Sequence, residues 1–224
     1  MMHLDWTYMI SIIPKILHYL PITLLLAVVS MVAASVLGLA LALIRQAKIK
    51  VISPIITVYV SLFRSLPSLV LLFLIYFGLP QLVPGLSGLN ALTAAMIAFS
   101  MKNSAYMAEI FRASLNSVDP SQMEAGLSVG MTKTQVYARI ILPQAFLNAL
   151  PATGNTFISL IKDTSVAFSL GVTEIFAQAK MIAAESFRYF ETFVVVGLMY
   201  WILVVSYSYF QAYLERKLSR SLQR

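Results

Sequence analysis

The sequence predicts an all-α integral membrane protein, with five transmembrane helices, an N-terminal interfacial helix and one structured polar loop. Three observations carry this. Of 224 residues, 59% are hydrophobic and only 11% charged, with a mean hydropathy of +0.83, whereas a soluble domain carries about 25% charged residues to cover its surface. Apolar stretches recur that are long enough to cross about 30 Å of hydrocarbon. The charges gather between those stretches, so the net charge of +7 reads as a topology signal and not as a nucleic-acid surface. No cysteine is present, which excludes disulfides, thiolate metal sites and cysteine nucleophiles.

Trp6, Met9, Ile13, Ile16 and Leu20 recur at helical spacing, which predicts an interfacial helix leading into the first span. MMHLDWTYMI has neither a basic n-region nor a small-residue cleavage site, so no removable signal peptide is expected. The first span runs from about Leu20 to Ile44 and is closed by Arg45, Lys48 and Lys50. The second lies within Ser53–Leu82, the third covers Ala91–Ala113, the fourth Phe146–Ile161 and the fifth Thr192–Ala212. The fifth carries Tyr200, Trp201, Tyr207, Tyr209 and Phe210, read as interface belt and packing.

Charge sets the orientation. Arg45, Lys48 and Lys50 follow the first span, and Arg112, Lys133 and Arg139 follow the third. With Arg216, Lys217, Arg220 and Arg224 in the tail, ten of the sixteen basic residues fall on one side. The positive-inside rule puts that side, and the C-terminus, in the cytoplasm and the N-terminus outside.

The connection after the third span, residues 114–145, is long and polar, and a loop of that length needs structure or a task. Asp119 stands where it can cap a helix, with Pro120 at the first turn and Gln122 completing a capping box. Gly130 supplies a stop. Thr132 and Gln135 repeat the pattern, Val136, Ile140 and Ile141 share a face, and Leu142-Pro143 is expected to end the second short helix.

EAGLSVGMTKTQVYARIILP, from Glu124 to Pro143, closely resembles the EAA loop of ABC-importer permeases. Glu124, Ala125, Gly126 and Gly130 stand at the matching places, with Gly126 replacing the second alanine. FRSLP (Phe63–Pro67), AYMAEIFRASL from Ala105 and KDTSVAFSLGVTEI from Lys162 resemble further elements of the histidine/glutamine-type branch. The resemblance implies a type I importer permease over residues 1–224, a single transmembrane domain in a bacterial cytoplasmic (inner) membrane. It also implies an ATP-binding cassette subunit that holds ATP and Mg, a substrate-binding protein and a second permease subunit, identical or paralogous. Ala125, Gly126 and Gly130 would let the loop helix approach the ATPase closely, and Glu124 would face a basic partner or the helix dipole. The implied cargo is a polar amino acid, and YFGLPQL, residues 76–82, points within that class to L-cystine.

An ionisable group at membrane depth is a functional candidate by default. Lys102 lies about ten residues, or roughly 15 Å, from either end of its span. At 100° per residue Tyr106 sits about 40° and Glu109 about 20° from it, with Asn103 at the margin. These groups could bind the charged ends of an amino acid or neutralise one another across a helix interface. Lys162 and Asp163, followed by Ser165, read either as a local ion pair or as part of the pathway, as the resemblance implies. Arg64 is expected at the cytoplasmic interface, against lipid phosphate or a neighbouring helix. The chain has no Gly-x-x-x-x-Gly-Lys-Ser/Thr phosphate loop, and its two histidines, His3 and His18, lie near one end. No catalytic or metal site is therefore expected, and no cofactor in this chain. The rival to an ATP-driven importer is an ion-coupled secondary transporter or channel using Lys102, Glu109 and Lys162.

Overall fold

The computed structural model describes the backbone of residues 4–222 and the side chains of residues 4–219; His3 and Arg224, and the side chain of Arg220, lie outside them. Among the described residues every regular element is helical. They are α1 (Trp6–Leu17), α2 (Leu20–Gln46), α3 (Ile52–Ser65), α4 (Ser68–Phe73), α5 (Leu79–Leu82), α6 (Ala91–Asn116), α7 (Ser121–Ser128), α8 (Lys133–Val136), α9 (Leu142–Asp163), α10 (Ile175–Ser186) and α11 (Tyr189–Leu222).

α2 and α6 form the centre. Lipid supplies no hydrophobic drive between helices, so spans associate through close packing of small residues. α2 buries Ala27, Ser30, Ala34, Gly38 and Ala42 along one stripe, and α6 answers with Ala94, Ala98, Ser104, Ala105 and Ala108. A side chain at Gly38 would place its Cβ 2.5 Å from that of Met107 and 3.0 Å from the backbone of Ser104 and Ala108. Gly38 is therefore a site of backbone contact.

The second predicted span is broken. Leu66 precedes Pro67, whose ring disfavours helical geometry one residue before it, and its ψ of 132° is extended. The helices on either side meet at 111°. α3 alone, with 14 residues, spans only about 21 Å. The chain then runs through α4, a π-turn at Leu74–Gly78 and α5.

Two expectations about the polar loop change. Asp119 accepts the Ser121 N–H at 2.9 Å, which holds its carboxyl below the usual range, but Gln122 completes no capping box at α7. Thr132 and Gln135 do form the expected box at α8. Gly130, at φ +82°, ends α7 in a Schellman motif, with Met131 N–H on the Gly126 carbonyl at 3.1 Å and Gly130 N–H on that of Leu127 at 3.0 Å. Pro143 does not stop the second helix. A π-turn at Tyr137–Ile141 accommodates it, with the Leu142 N–H reaching back five residues to Tyr137, so α8 runs on into α9.

α9 continues as a 3₁₀ segment, Thr164–Leu170, to Gly171 at φ +85°. α10 follows at a bend of 54°. α11 is longer than the predicted fifth span and carries the tail as helix as far as Leu222. α1 buries Met9, Ile12 and Ile16 against α10 and α11. Trp6 and Ile13 point outward, so its buried face is rotated from the expected stripe. Arg188 ties Asp5 to this end at 2.5 Å, and the Tyr8 hydroxyl meets Ser186 and Thr192 at 2.7 and 2.9 Å.

Gly38→Leu is expected to prevent or severely destabilise folding, since overpacking a close contact costs about 1–3 kcal/mol and backbone cannot yield as a flexible side chain does. Thermal unfolding of the purified chain checks this, with Gly197→Leu, at a glycine where an added Cβ meets nothing within 4 Å, as the control expected to behave like the parent.

Candidate functional site

The break at Leu66-Pro67 delivers Ser68 to the middle of α6. Lys102 donates to Ser68 Oγ at 2.5 Å and to Asp163 Oδ2 at 3.4 Å, and Ser68 Oγ donates to the same carboxylate oxygen at 2.9 Å. Three elements, α4, α6 and the last turn of α9, thus converge on one charge pair. Asp163 sits at the negative end of its helix dipole, where a carboxylate is disfavoured; the Lys102 ammonium offsets that cost.

Beside the pair opens a cleft of about 290 Å³, lined from α6 by Lys102, Asn103 and Tyr106 and from α9 by Asn155, Thr156, Ser159 and Asp163. The α9 residues share one face, at spacings of one, three and four. Ser68, Asn155, Thr156 and Ser159 were not singled out from sequence, although polar residues at helical spacing within an apolar span were the available signal. Asn103 is buried and donates to the Phe99 carbonyl at 2.8 Å. The cleft offers one ammonium, one carboxylate and neutral amides and hydroxyls between them, a pattern that suits a zwitterion.

The other predicted residues part company. Glu109 is drawn away from Lys102 by Arg45 and by Arg112, the latter at 2.7 Å. Asp163 pairs with Lys102 and not with its neighbour Lys162, which is exposed and does not line the cleft. Ser165 bonds back to the Lys162 carbonyl at 2.7 Å and lies outside the cleft as well. The first outcome follows from helix geometry, because adjacent residues point about 100° apart. Of the two partners expected for Arg64, it has the neighbouring helix: its guanidinium rests 5.4 Å from the Tyr106 ring centroid on α6. Its role is taken up below.

In the polar loop Glu124 and Ala125 are exposed. Gly126 is buried, and a Cβ there would lie 2.6 Å from Val136 Cγ2. Its smallness serves the packing of α7 on α8, and that of Gly130 serves the left-handed turn.

A second buried network was missed. Glu174, fully buried, caps α10 through the Ala177 N–H at 2.8 Å. It also accepts from the hydroxyls of Tyr200 at 3.0 Å and Thr23 at 3.3 Å, joining α2, α10 and α11. Tyr200 is therefore no belt residue, whereas Trp201, Tyr209 and Phe210 are exposed as expected. Among the described residues no group of three acidic or histidine side chains is placed to hold a metal.

Comparison with known proteins gives a consistent picture. The family described as binding-protein-dependent transport system inner membrane component matches residues 34–220. The probable amino-acid permease protein YxeN of Bacillus subtilis (strain 168) is 57% identical over 217 residues, 97% of each chain. The probable amino-acid ABC transporter permease protein PatM of Vibrio harveyi is 47% identical over the full length of both. A crystal structure of an amino acid ABC transporter with histidines superposes with a TM-score of 0.86 at 35% identity, covering 96% of this chain and 100% of that one.

Lys102→Met and Asp163→Asn should each lower the thermal unfolding temperature, because each leaves a charge unpartnered at membrane depth. The double variant should recover part of the loss, with a coupling on the order of 1 kcal/mol; strictly additive losses would separate the two residues.

Proposed function

This chain belongs to the inner-membrane components of binding-protein-dependent transport systems, and from that premise we propose that it is the transmembrane subunit of an ATP-driven amino-acid importer. The observation that carries the reading is the cleft in which Lys102 and Asp163 face each other at the centre of the helix bundle. An α-carboxylate fits the ammonium and an α-ammonium fits the carboxylate, while Asn155, Thr156 and Ser159 can hydrogen-bond the remainder. A substrate entering here exchanges one ion pair for two, so the cost of bringing its charges to membrane depth is offset by partners already in place.

Movement follows alternating access. A binding protein delivers the amino acid to the outer face. Two permease subunits, identical or paralogous, frame the cavity, and ATP with Mg on a pair of cassette subunits drives closure. The loop 114–145 docks the ATPase. Glu124 and Ala125 face the partner directly, while Gly126 and Gly130 act through the shape they allow α7 to take. The surplus of lysine and arginine on this loop, the 45–50 loop and the tail supports a cytoplasmic position for that side and an outside position for the N-terminus. An ion-coupled secondary transporter or channel would need no docking loop, and family membership favours the ATP-driven reading. L-cystine is the first cargo to try, on the ground of YFGLPQL at 76–82.

Reconstitution in liposomes with the cognate ATPase and binding protein, and a screen of L-cystine and the polar amino acids, tests the reading. One or more should stimulate ATP hydrolysis and accumulate inside; accumulation driven by a proton or sodium gradient without ATP would overturn it. Ala125→Arg should cut substrate-stimulated ATP hydrolysis by roughly tenfold or more while leaving the fold intact, since a bulky charge opposes a close contact worth a few kcal/mol. Unchanged stimulation in that variant would remove α7 as the docking element.

A further inference from the structure

Below the Lys102 cleft lies a second cleft of about 480 Å³, whose walls include Arg64, Glu109, Arg112, Ser117 and Asn148. Both are cut into the same groove. α6 lends residues 102–106 to the first and residues from 109 onward to the second, and α9 lends 155–163 to the first and 148–152 to the second. One helical turn separates them, and one residue pair stands at the junction. Tyr106 lines the first cleft, and its hydroxyl donates to the Arg64 carbonyl at 3.3 Å. The Arg64 guanidinium lies against the Tyr106 ring and lines the second cleft.

The charges of the groove are unevenly committed. Asp163 is matched by Lys102, and Glu109 is shared by Arg45 and Arg112. Among the described residues Arg64 forms no ion pair and is exposed to the cleft. The second cleft therefore has one carboxylate against two lining arginines, and its unclaimed donor is a planar guanidinium suited to bidentate contact with a carboxylate.

We propose that this second cleft is an exit-side binding site for the carboxylate of a free amino acid, anchored by Arg64, with the Tyr106 ring as the partition that the substrate passes on leaving Lys102. The inference rests on the reading of the Lys102 cleft as the transport pathway. The carboxylate moves about one helical turn, from an ammonium to a guanidinium, without being released to lipid or bulk water between the two. Because the second cleft lies on the discharge side, accumulated product occupies it and slows the next cycle.

The test uses the full complex in liposomes with ATP inside. The labelled probe is the amino acid that stimulates hydrolysis most in the screen above, and the lumen is preloaded with the unlabelled acid or with its carboxamide. Lumenal acid is expected to slow wild-type uptake, and the carboxamide to do so only at much higher concentration. Arg64→Gln is expected to raise the half-inhibitory concentration of the acid by roughly tenfold or more, the loss expected for one charge-assisted hydrogen bond. Arg64→Lys should retain part of the inhibition. Equal inhibition of wild type by acid and carboxamide would overturn the proposal without requiring any variant, as would Arg64→Gln vesicles inhibited at the wild-type concentration. Wild-type vesicles that import no amino acid would remove the transport reading itself, a separate result.

Discussion

Lipid hydrogen-bonds nothing, and the structure follows from that constraint. Every polar group held at membrane depth must find its partner inside the chain or face a cleft. Lys102 finds Ser68 and Asp163, Glu174 finds the Ala177 N–H, Thr23 and Tyr200, and Glu109 finds two arginines. Each set includes at least one partner from an element far away in sequence. The polar groups therefore also specify how the helices are arranged, which apolar packing against an apolar solvent specifies poorly.

Close approach of backbones makes those pairings possible. The stripe from Ala27 to Ala42 on α2 draws α6 near enough that Gly38 admits no side chain, and that contact sets the depth of Lys102 and Glu109. The break before Pro67 then turns Ser68 inward, and the π-turn at Tyr137–Ile141 lets α9 continue past Pro143 and bring Asp163 to the same level. Two prolines that would each weaken a helix are here the means of aiming it, and the polar loop from Lys133 onward is thereby joined through one continuous helical path to Asp163.

Much of this was legible in the residues. Hydropathy marked the spans, charge marked the loops, and Thr132 with Gln135 announced the capping box that forms. The interruption at Lys102 was visible because a lysine in an apolar run has no inexpensive explanation. The site was only half legible. Spacing along one helix put Glu109 on the Lys102 face, but spacing cannot see Arg45, which competes for that carboxylate from another helix. Adjacency in sequence suggested pairing Lys162 with Asp163, although neighbours on a helix point apart. Ser68 gave no signal of its own, and its importance comes wholly from the bend before it.

The sequence by itself determined the solvent, the number of apolar segments, the family and the place of the long polar loop, because each depends on composition or on spacing within a single element. Tertiary structure alone decided which charges meet between helices: Asp163 with Lys102, Glu109 with Arg45, and Arg64 beside Tyr106 with no carboxylate of its own. Ion pairs form between helices whose mutual rotation and depth are set by the fit of small residues and by proline bends. That fit is a property of two surfaces in contact, which no single run of residues contains.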